Sequence, residues 1–258
     1  MSEPIISARN LGVRFVKGRR RNLQVRELVF HGRKRAIHKG VDGEFWPLRN
    51  LSFDITPGEA IGVIGKNGTG KSTLLKLIAG VLIPDEGNIR VRGRVAPLLE
   101  LSAGFSNDLT GRENLNLVGS LHGLTKQQVA AKFDEIVDFA GEQVAKSIDS
   151  PVRHYSSGMK VRLGFSIISQ LQHPILLVDE VMAVGDAEFR AKCYATMRRL
   201  LAEGRTMVLV SHNEGDLTGF CTRGLFLDKG ELRVDGTVEE ALAAYKGEPV
   251  PAPTPAAA

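Results

Sequence analysis

The chain has 258 residues, 43% of them hydrophobic, which suits an ordinary globular protein with a sizeable core. No apolar run approaches the roughly 20 residues that span a bilayer, and the N-terminus lacks the apolar core of a secretory signal, so the chain is expected to stay in the cytosol. Net charge is +5 but unevenly spread: between Arg9 and Lys39 eleven Lys or Arg stand against one acid, Glu27, so that the remainder carries a net negative charge. Such a local excess suits an anionic surface, whether phospholipid headgroups, nucleic acid or an anionic substrate, or else a solvated basic loop. Cys193 and Cys221 have no metal-ligand spacing and read as reduced packing residues.

In chain order, Ile5–Phe15 reads as a strand with a turn or bulge inside it. Residues 16–44 are basic and weakly periodic, an insertion in which Leu23–Phe30 could form a short amphipathic helix. Phe45–Ile55 returns to strand character, and Pro57-Gly58 turns the chain into a buried strand at Ala60–Ile64. A helix follows from Ser72 to Ala79, stopped at Gly80. Residues 88–99 supply one or two strands. Thr110-Gly111-Arg112-Glu113 and Thr125-Lys126-Gln127-Gln128 are capping boxes, so residues 107–169 read as a helical subdomain inserted between strands of the core. Ile175–Val178 is a buried strand ending in Asp179-Glu180. A helix over about 186–203 stops at Gly204, and Met207–Val210 is another apolar strand leading to Ser211-His212. Asp228-Lys229-Gly230 turns a hairpin, and the Pro- and Ala-rich tail from about 248 to 258 has nothing to bury and is expected to be disordered. Strands alternating with helices predict an α/β fold: a mostly parallel sheet with helices on both faces.

The stretch Gly65-Lys66-Asn67-Gly68-Thr69-Gly70-Lys71-Ser72-Thr73 fits G-x-x-x-x-G-K-[ST] between a strand and a helix, the context that makes a phosphate-binding loop. Its glycines let successive N–H groups point inward and the helix N-terminus adds positive potential. Lys71 would reach the terminal phosphates and Ser72 would help hold Mg²⁺. Asp179, at the carboxyl end of a buried strand, is placed to bind Mg²⁺, and Glu180, one step on, to polarise an attacking water. His212 ends another apolar strand at the same sheet edge, within reach of a γ-phosphate. Tyr155-Ser156-Ser157-Gly158-Met159 opens a helix with small residues, which makes either a second anion cradle or an ordinary Ser N-cap. A second cradle has a use when two chains face each other and each closes on the γ-phosphate held by the other.

Taken together, these motifs, in this order over roughly residues 5–247, resemble the ATP-binding cassette (ABC) ATPases. The resemblance implies a P-loop ATPase with a RecA-like parallel-sheet core, an N-terminal antiparallel β subdomain and the inserted helical subdomain. Its ligands would be ATP and Mg²⁺. It also implies that Phe15 stacks on adenine, with Trp46 as the alternative, and that Tyr155, Ser156, Ser157 and Gly158 form the signature that contacts the partner's nucleotide. Gly185-Asp186 matches the loop that crosses the dimer interface. Glu100 stands where most members carry a metal-contacting glutamine, and a carboxylate there can still bind Mg²⁺ while changing the charge beside the γ-phosphate. Leu98–Phe105, Thr110–Asn114, Tyr155–Met159 and the basic insertion ending in Glu44–Arg49 are similar to the ATPase subunits of bacterial polysaccharide exporters, of the kind without a C-terminal carbohydrate-binding domain.

The expectation is then a homodimeric ATP hydrolase, peripheral at the cytoplasmic face of the inner membrane. It would work with a separate transmembrane permease, with its basic insertion against the membrane surface or the pyrophosphate of a lipid-linked glycan, and without nucleic acid. The alternatives are the ATPase subunit of another ABC transporter, or a soluble ABC ATPase acting on nucleic acid or ribosomes.

Overall fold

The computed structural model describes residues 3–16, 44–98, 104–179 and 186–249. The basic segment 17–43, Glu100, Glu180, Gly185 and the tail from 250 lie outside the described residues.

Two sheets form the frame. The first is three-stranded and antiparallel, with β1 (Ile6–Val16) between β2 (Glu44–Ile55) and β4 (Glu86–Val91). The second has six strands in the order β5 (Val95–Leu98), β6 (Ile175–Asp179), β7 (Thr206–Val210), β3 (Ala60–Ile64), β8 (Arg223–Asp228) and β9 (Glu231–Thr237). The first five are mutually parallel, and β9 returns antiparallel to β8. The β8–β9 turn is the expected hairpin, with Lys229 and Gly230 both at positive φ.

β3 and β7 are buried along their whole length, as continuous apolar runs in a parallel sheet require. Period-two alternation sorts their side chains between two cores. Ile64, Leu176, Val178, Met207 and Leu209 face one cluster; Ile61, Val63, Ile175, Leu177, Val208 and Val210 face the other. The second cluster is closed by the antiparallel sheet and by α1 (Lys71–Ile78). The first is closed by α6 (Ser157–Ser169), α7 (Ala187–Ala202), α8 (Glu214–Phe220) and α9 (Val238–Lys246). The fold is thus α/β, with helices on both faces of a mostly parallel sheet. The sequence reading did not single out α9, although its Thr237–Glu240 capping box carries the same signal as the two that were read.

A third cluster belongs to the helical subdomain, built from α2 (Gly111–Leu121), α3 (Lys126–Ala131), α4 (Phe133–Ala140), α5 (Glu142–Lys146) and part of α6. The segment Thr110–Asn114 explains its shape residue by residue. Thr110 and Glu113 form a reciprocal capping box. A Cβ on Gly111 would lie 2.3 Å from the Tyr155 hydroxyl oxygen, and Arg112 donates to Asp149 at 2.7 Å. Asn114, fully buried, accepts from the Ser106 amide and donates to the carbonyls of Ser106, Leu109 and Thr110, fixing the turn that enters α2. α6 has one face in each body: Phe165 and Ile168 pack in the sheet core, Leu163 and Ile167 in the subdomain core.

Where subdomain and sheet meet, the rings of His122 and His173 lie 5.5 Å apart. Burial, reinforced by His122, Arg94 and Arg205, pushes the His173 imidazole down from 6.5 to about 4. The folded chain therefore keeps His173 neutral where the unfolded chain protonates it, so its contribution to stability is full above about pH 6.5 and is lost as pH falls toward 4. The melting temperature is expected to drop across this window, and the drop should be shallower in His173→Gln. An equal slope in the two proteins, followed by circular dichroism, would contradict this.

Candidate functional site: a phosphate cradle at the sheet edge

The site is assembled by strand register. Val63 pairs with Val210, and Val210 with Asp179, so β3, β7 and β6 end in one row. Gly65 and His212 each lie two residues beyond that row, and Asp179 ends it. Asp179, His212 and the phosphate loop are therefore delivered to the same carboxyl edge of the sheet.

Gly65, Gly68 and Gly70 all have positive φ, at 159°, 83° and 99°. Two are also too crowded for a side chain. A Cβ on Gly65 would lie 2.5 Å from the Leu227 carbonyl oxygen, and one on Gly70 would lie 2.4 Å from the Pro47 carbonyl oxygen. The Gly68 position opens on free space. Thr69 Oγ1 donates back to the Lys66 carbonyl at 2.9 Å and pins the loop. Lys71, buried, donates through Nζ to the carbonyls of Gly65 at 2.7 Å and Lys66 at 3.1 Å, which holds the ammonium at the loop. α1 begins with no side-chain cap and no acidic residue in its first turn, whereas α2, α3 and α9 each have a complete capping box. Its first amides are left for an anion.

Ser72 Oγ donates to Asp179 Oδ2 at 3.1 Å, across 107 residues of sequence. A hydroxyl and a carboxylate oxygen side by side at the end of a phosphate cradle are a donor set suited to a hard divalent cation, so these residues fit Mg²⁺ with a polyphosphate. The cleft beside them has a volume of about 330 Å³ and is lined by Asn67, Gly68 and Gly70–Thr73 at one end and by Phe15, Phe45 and Pro47 at the other. Trp46 does not line it. Its ring is stacked against the guanidinium of Arg49 at 4.6 Å, with Arg14 at 6.0 Å. Of the two aromatics expected from sequence, Phe15 is at the cleft and Trp46 is not; Phe45, which sequence reading passed over, is.

His212 lies in a turn braced from below. Ser211 Oγ accepts from the Asn213 amide and donates to Asp216, which also accepts from the Tyr194 hydroxyl. Burial and the bond to Asp216 push the Tyr194 phenol up to about 12, so it stays a donor. Neither Tyr194 nor Asp216 was singled out in the sequence.

The second cradle stands elsewhere. α1 packs on one face of the parallel sheet and α6 on the other, and none of Tyr155, Ser156, Ser157 and Gly158 lines the cleft. Ser156 is the N-cap of α6 and accepts from the Met159 amide at 3.2 Å. Ser156 and Ser157 are exposed, and a Cβ on Gly158 would meet nothing closer than Ser156 Oγ at 3.8 Å. Tyr155 is placed differently from these three. It is buried in the subdomain core and its hydroxyl donates to the Ser147 carbonyl at 2.7 Å, so within the chain it is a packing residue. Asp186 caps α7 through the Phe189 amide and pairs with Arg162 of α6. The Phe189 amide bond, ahead of Arg162, holds its carboxyl below the usual range.

A P-loop nucleotide-binding core with an inserted helical body is thus defined by the fold and the cradle. The ABC transporter family profile matches residues 48–183, and the chain belongs to that family. It is 41% identical over 244 residues to the O-antigen export system ATP-binding protein RfbB of Klebsiella pneumoniae, covering 95% of this chain and 98% of that protein. It is 41% identical over 214 residues to the teichoic acids export ATP-binding protein TagH of Bacillus cereus, covering 83% of this chain and 38% of that one. Among solved structures it is similar to an ATP-binding subunit of an ABC transporter, with a TM-score of 0.72 at 21% identity and coverage of 94% and 93%. It is also similar to a dimeric ATP-binding cassette in a post-hydrolysis state with ADP and Pi, with a TM-score of 0.70 at 18% identity and coverage of 90% and 98%. These two likenesses establish the fold.

The contrast between crowded Gly70 and open Gly68 allows a direct check on the cradle. Gly70→Ala must displace the β2 backbone at Pro47 and is expected to lower affinity for Mg-ATP at least a hundredfold. Gly68→Ala has room and bears only the strain of its φ, roughly 1 kcal/mol, so a loss of at most about fivefold is expected. Equal affinities for the two variants in calorimetry would contradict the assignment of Gly70 as the point where β2 sets the loop.

Proposed function

We propose that the chain binds and hydrolyses ATP as the nucleotide-binding subunit of an ABC transporter that exports lipid-linked polysaccharide across a bacterial inner membrane. The observation that carries this reading is the 41% identity along 95% of the chain to a protein named as an O-antigen export ATP-binding protein.

In this reading the amides of Gly65–Thr73 and Lys71 hold the phosphates. Ser72, Asp179 and Glu100 hold Mg²⁺, which when bound offsets phosphate charge and fixes the orientation of the terminal group. Glu180 takes the proton of the attacking water as its oxygen bonds to the γ-phosphorus and ADP leaves, and His212 contacts the γ-phosphate from the end of β7. Two chains pair head to tail as a homodimer. The Ser156–Gly158 segment of each completes the site held by the other, which gives the uncapped remainder of the α6 N-terminus an anion to meet. The basic segment between Arg9 and Lys39 faces anionic lipid headgroups or the pyrophosphate of the lipid carrier, with no nucleic acid involved.

Transport is assigned to a separate permease; among the described residues no helix is long and apolar enough to cross a membrane. A groove of about 820 Å³ between the α1–β4 region and the C-terminus of α2 supports a docking place for it. Ile83 and Leu121 line it, two large apolar side chains that are exposed. The subunit would then be peripheral at the cytoplasmic face.

Glu180→Gln is expected to bind Mg-ATP with unchanged affinity and to turn over at least a hundredfold more slowly. Near-normal hydrolysis by that variant would remove Glu180 from the chemistry. Ile83→Glu with Leu121→Glu should abolish co-purification with the membrane subunit while leaving ATP affinity within twofold. Intact co-purification would place the docking surface elsewhere.

A further inference from the structure

We infer that Phe45 is a second nucleobase-binding residue, forming with Phe15 a two-ring apolar seat for the base. The inference rests on the proposed ATP site and adds to it a residue that neither the family motifs nor the sequence reading selects.

Phe15 and Phe45 are directly opposed cross-strand partners in the β1–β2 register. Opposed residues on neighbouring strands share a face and stand about 5 Å apart at Cβ, close enough for two rings to act together. Both are exposed, Phe15 at 37% and Phe45 at 59%, whereas the other phenylalanines among the described residues are mostly in the cores. Both line the cleft that ends at Asn67–Thr73.

Phe45 faces the cleft because the register shifts. From Val13↔Leu48 to Phe15↔Phe45, β1 advances two residues while β2 advances three. The extra residue on β2 lets Leu48, buried in the core, and Phe45, at the cleft, lie on one face although they are three positions apart. Trp46, next to Phe45 within the irregularity, goes to the other side and is held there by Arg14 and Arg49. Pro47, which donates no ladder hydrogen bond, sits inside the shift.

The same few residues are clamped to the phosphate loop and to the hairpin at the far edge of the sheet. The Pro47 carbonyl is where a Cβ on Gly70 would strike at 2.4 Å, and the Arg49 amide donates to the Gly230 carbonyl at 2.8 Å. Phe45 is therefore tied at fixed offset to the loop that would hold the phosphates, two residues from the point of contact. Of the residues lining the base end of the cleft, Phe15, Phe45 and Pro47, none carries a side-chain donor or acceptor. Recognition of the base there is by stacking and apolar contact, and the free energy it contributes belongs to the base alone and not to the phosphates.

The test is calorimetric titration of the full chain with Mg-ATP and, in parallel, with Mg-tripolyphosphate, which has the phosphates without the base. Phe45→Ala is expected to weaken ATP binding about tenfold and to leave tripolyphosphate affinity within twofold, with Phe45→Tyr restoring ATP binding. Trp46→Ala, the control on the other face, should change neither. Unchanged ATP affinity in Phe45→Ala, or equal losses for both ligands, would overturn the role of Phe45. A wild-type chain that bound neither ligand would instead overturn the nucleotide site itself.

Discussion

The site depends on one constraint: three apolar strands locked in parallel register with their carboxyl ends level. Because β3 and β7 are buried on both faces, and β6 up to its last residue, a one-residue slip of any of them would exchange its two sets of side chains between the two cores. That penalty fixes the row Val63–Val210–Asp179, and the row fixes where the loop, the carboxylate and the histidine emerge. The Ser72–Asp179 hydrogen bond follows from this alignment. Neither residue is near the other in sequence, and no local preference would bring them together.

A second constraint sets the loop itself. The antiparallel sheet is pressed onto the phosphate loop at Gly70, so the cradle is shaped from outside as well as by its own glycines. The loop, the β1–β2 edge and the β8–β9 hairpin form one contact chain through Pro47, Leu48 and Gly230. The Asn67–Thr73 end of the cleft and its Phe15, Phe45 and Pro47 end are therefore joined where only glycine fits.

Much of this was legible in the sequence, and what was legible had a local cause. The capping boxes at Thr110 and Thr125, the hairpin turn at Lys229-Gly230 and the buried apolar strands are each written in a few adjacent residues. The phosphate loop is too. Phe45 was not legible because a register shift, which depends on the partner strand, decides which of two neighbouring aromatics faces the cleft. The packing role of Tyr155 was not legible for the opposite reason: it adjoins a segment with a functional pattern, while its side chain is buried in the subdomain core. The Tyr194–Asp216–Ser211 brace depends on a helix crossing that no sequence spacing announces.

α6 joins these levels. One of its faces is packed in the sheet core and the other in the subdomain core, and Ser156 and Gly158 stand at its N-terminus. It lies across the sheet from the chain's own cradle, and in the proposed homodimer it meets the cradle of a second chain. The most direct measurement mixes two damaged chains, Lys71→Ala, which keeps its signature segment, and Gly158→Asp, which keeps its phosphate loop and has room for the new side chain. Analytical ultracentrifugation with Mg-ATP should show neither variant associating alone, and the mixture forming heterodimers that hold one nucleotide each. If Gly158→Asp alone pairs in ATP as the unaltered chain does, or if the mixture stays monomeric while the unaltered chain pairs, the composite site is wrong.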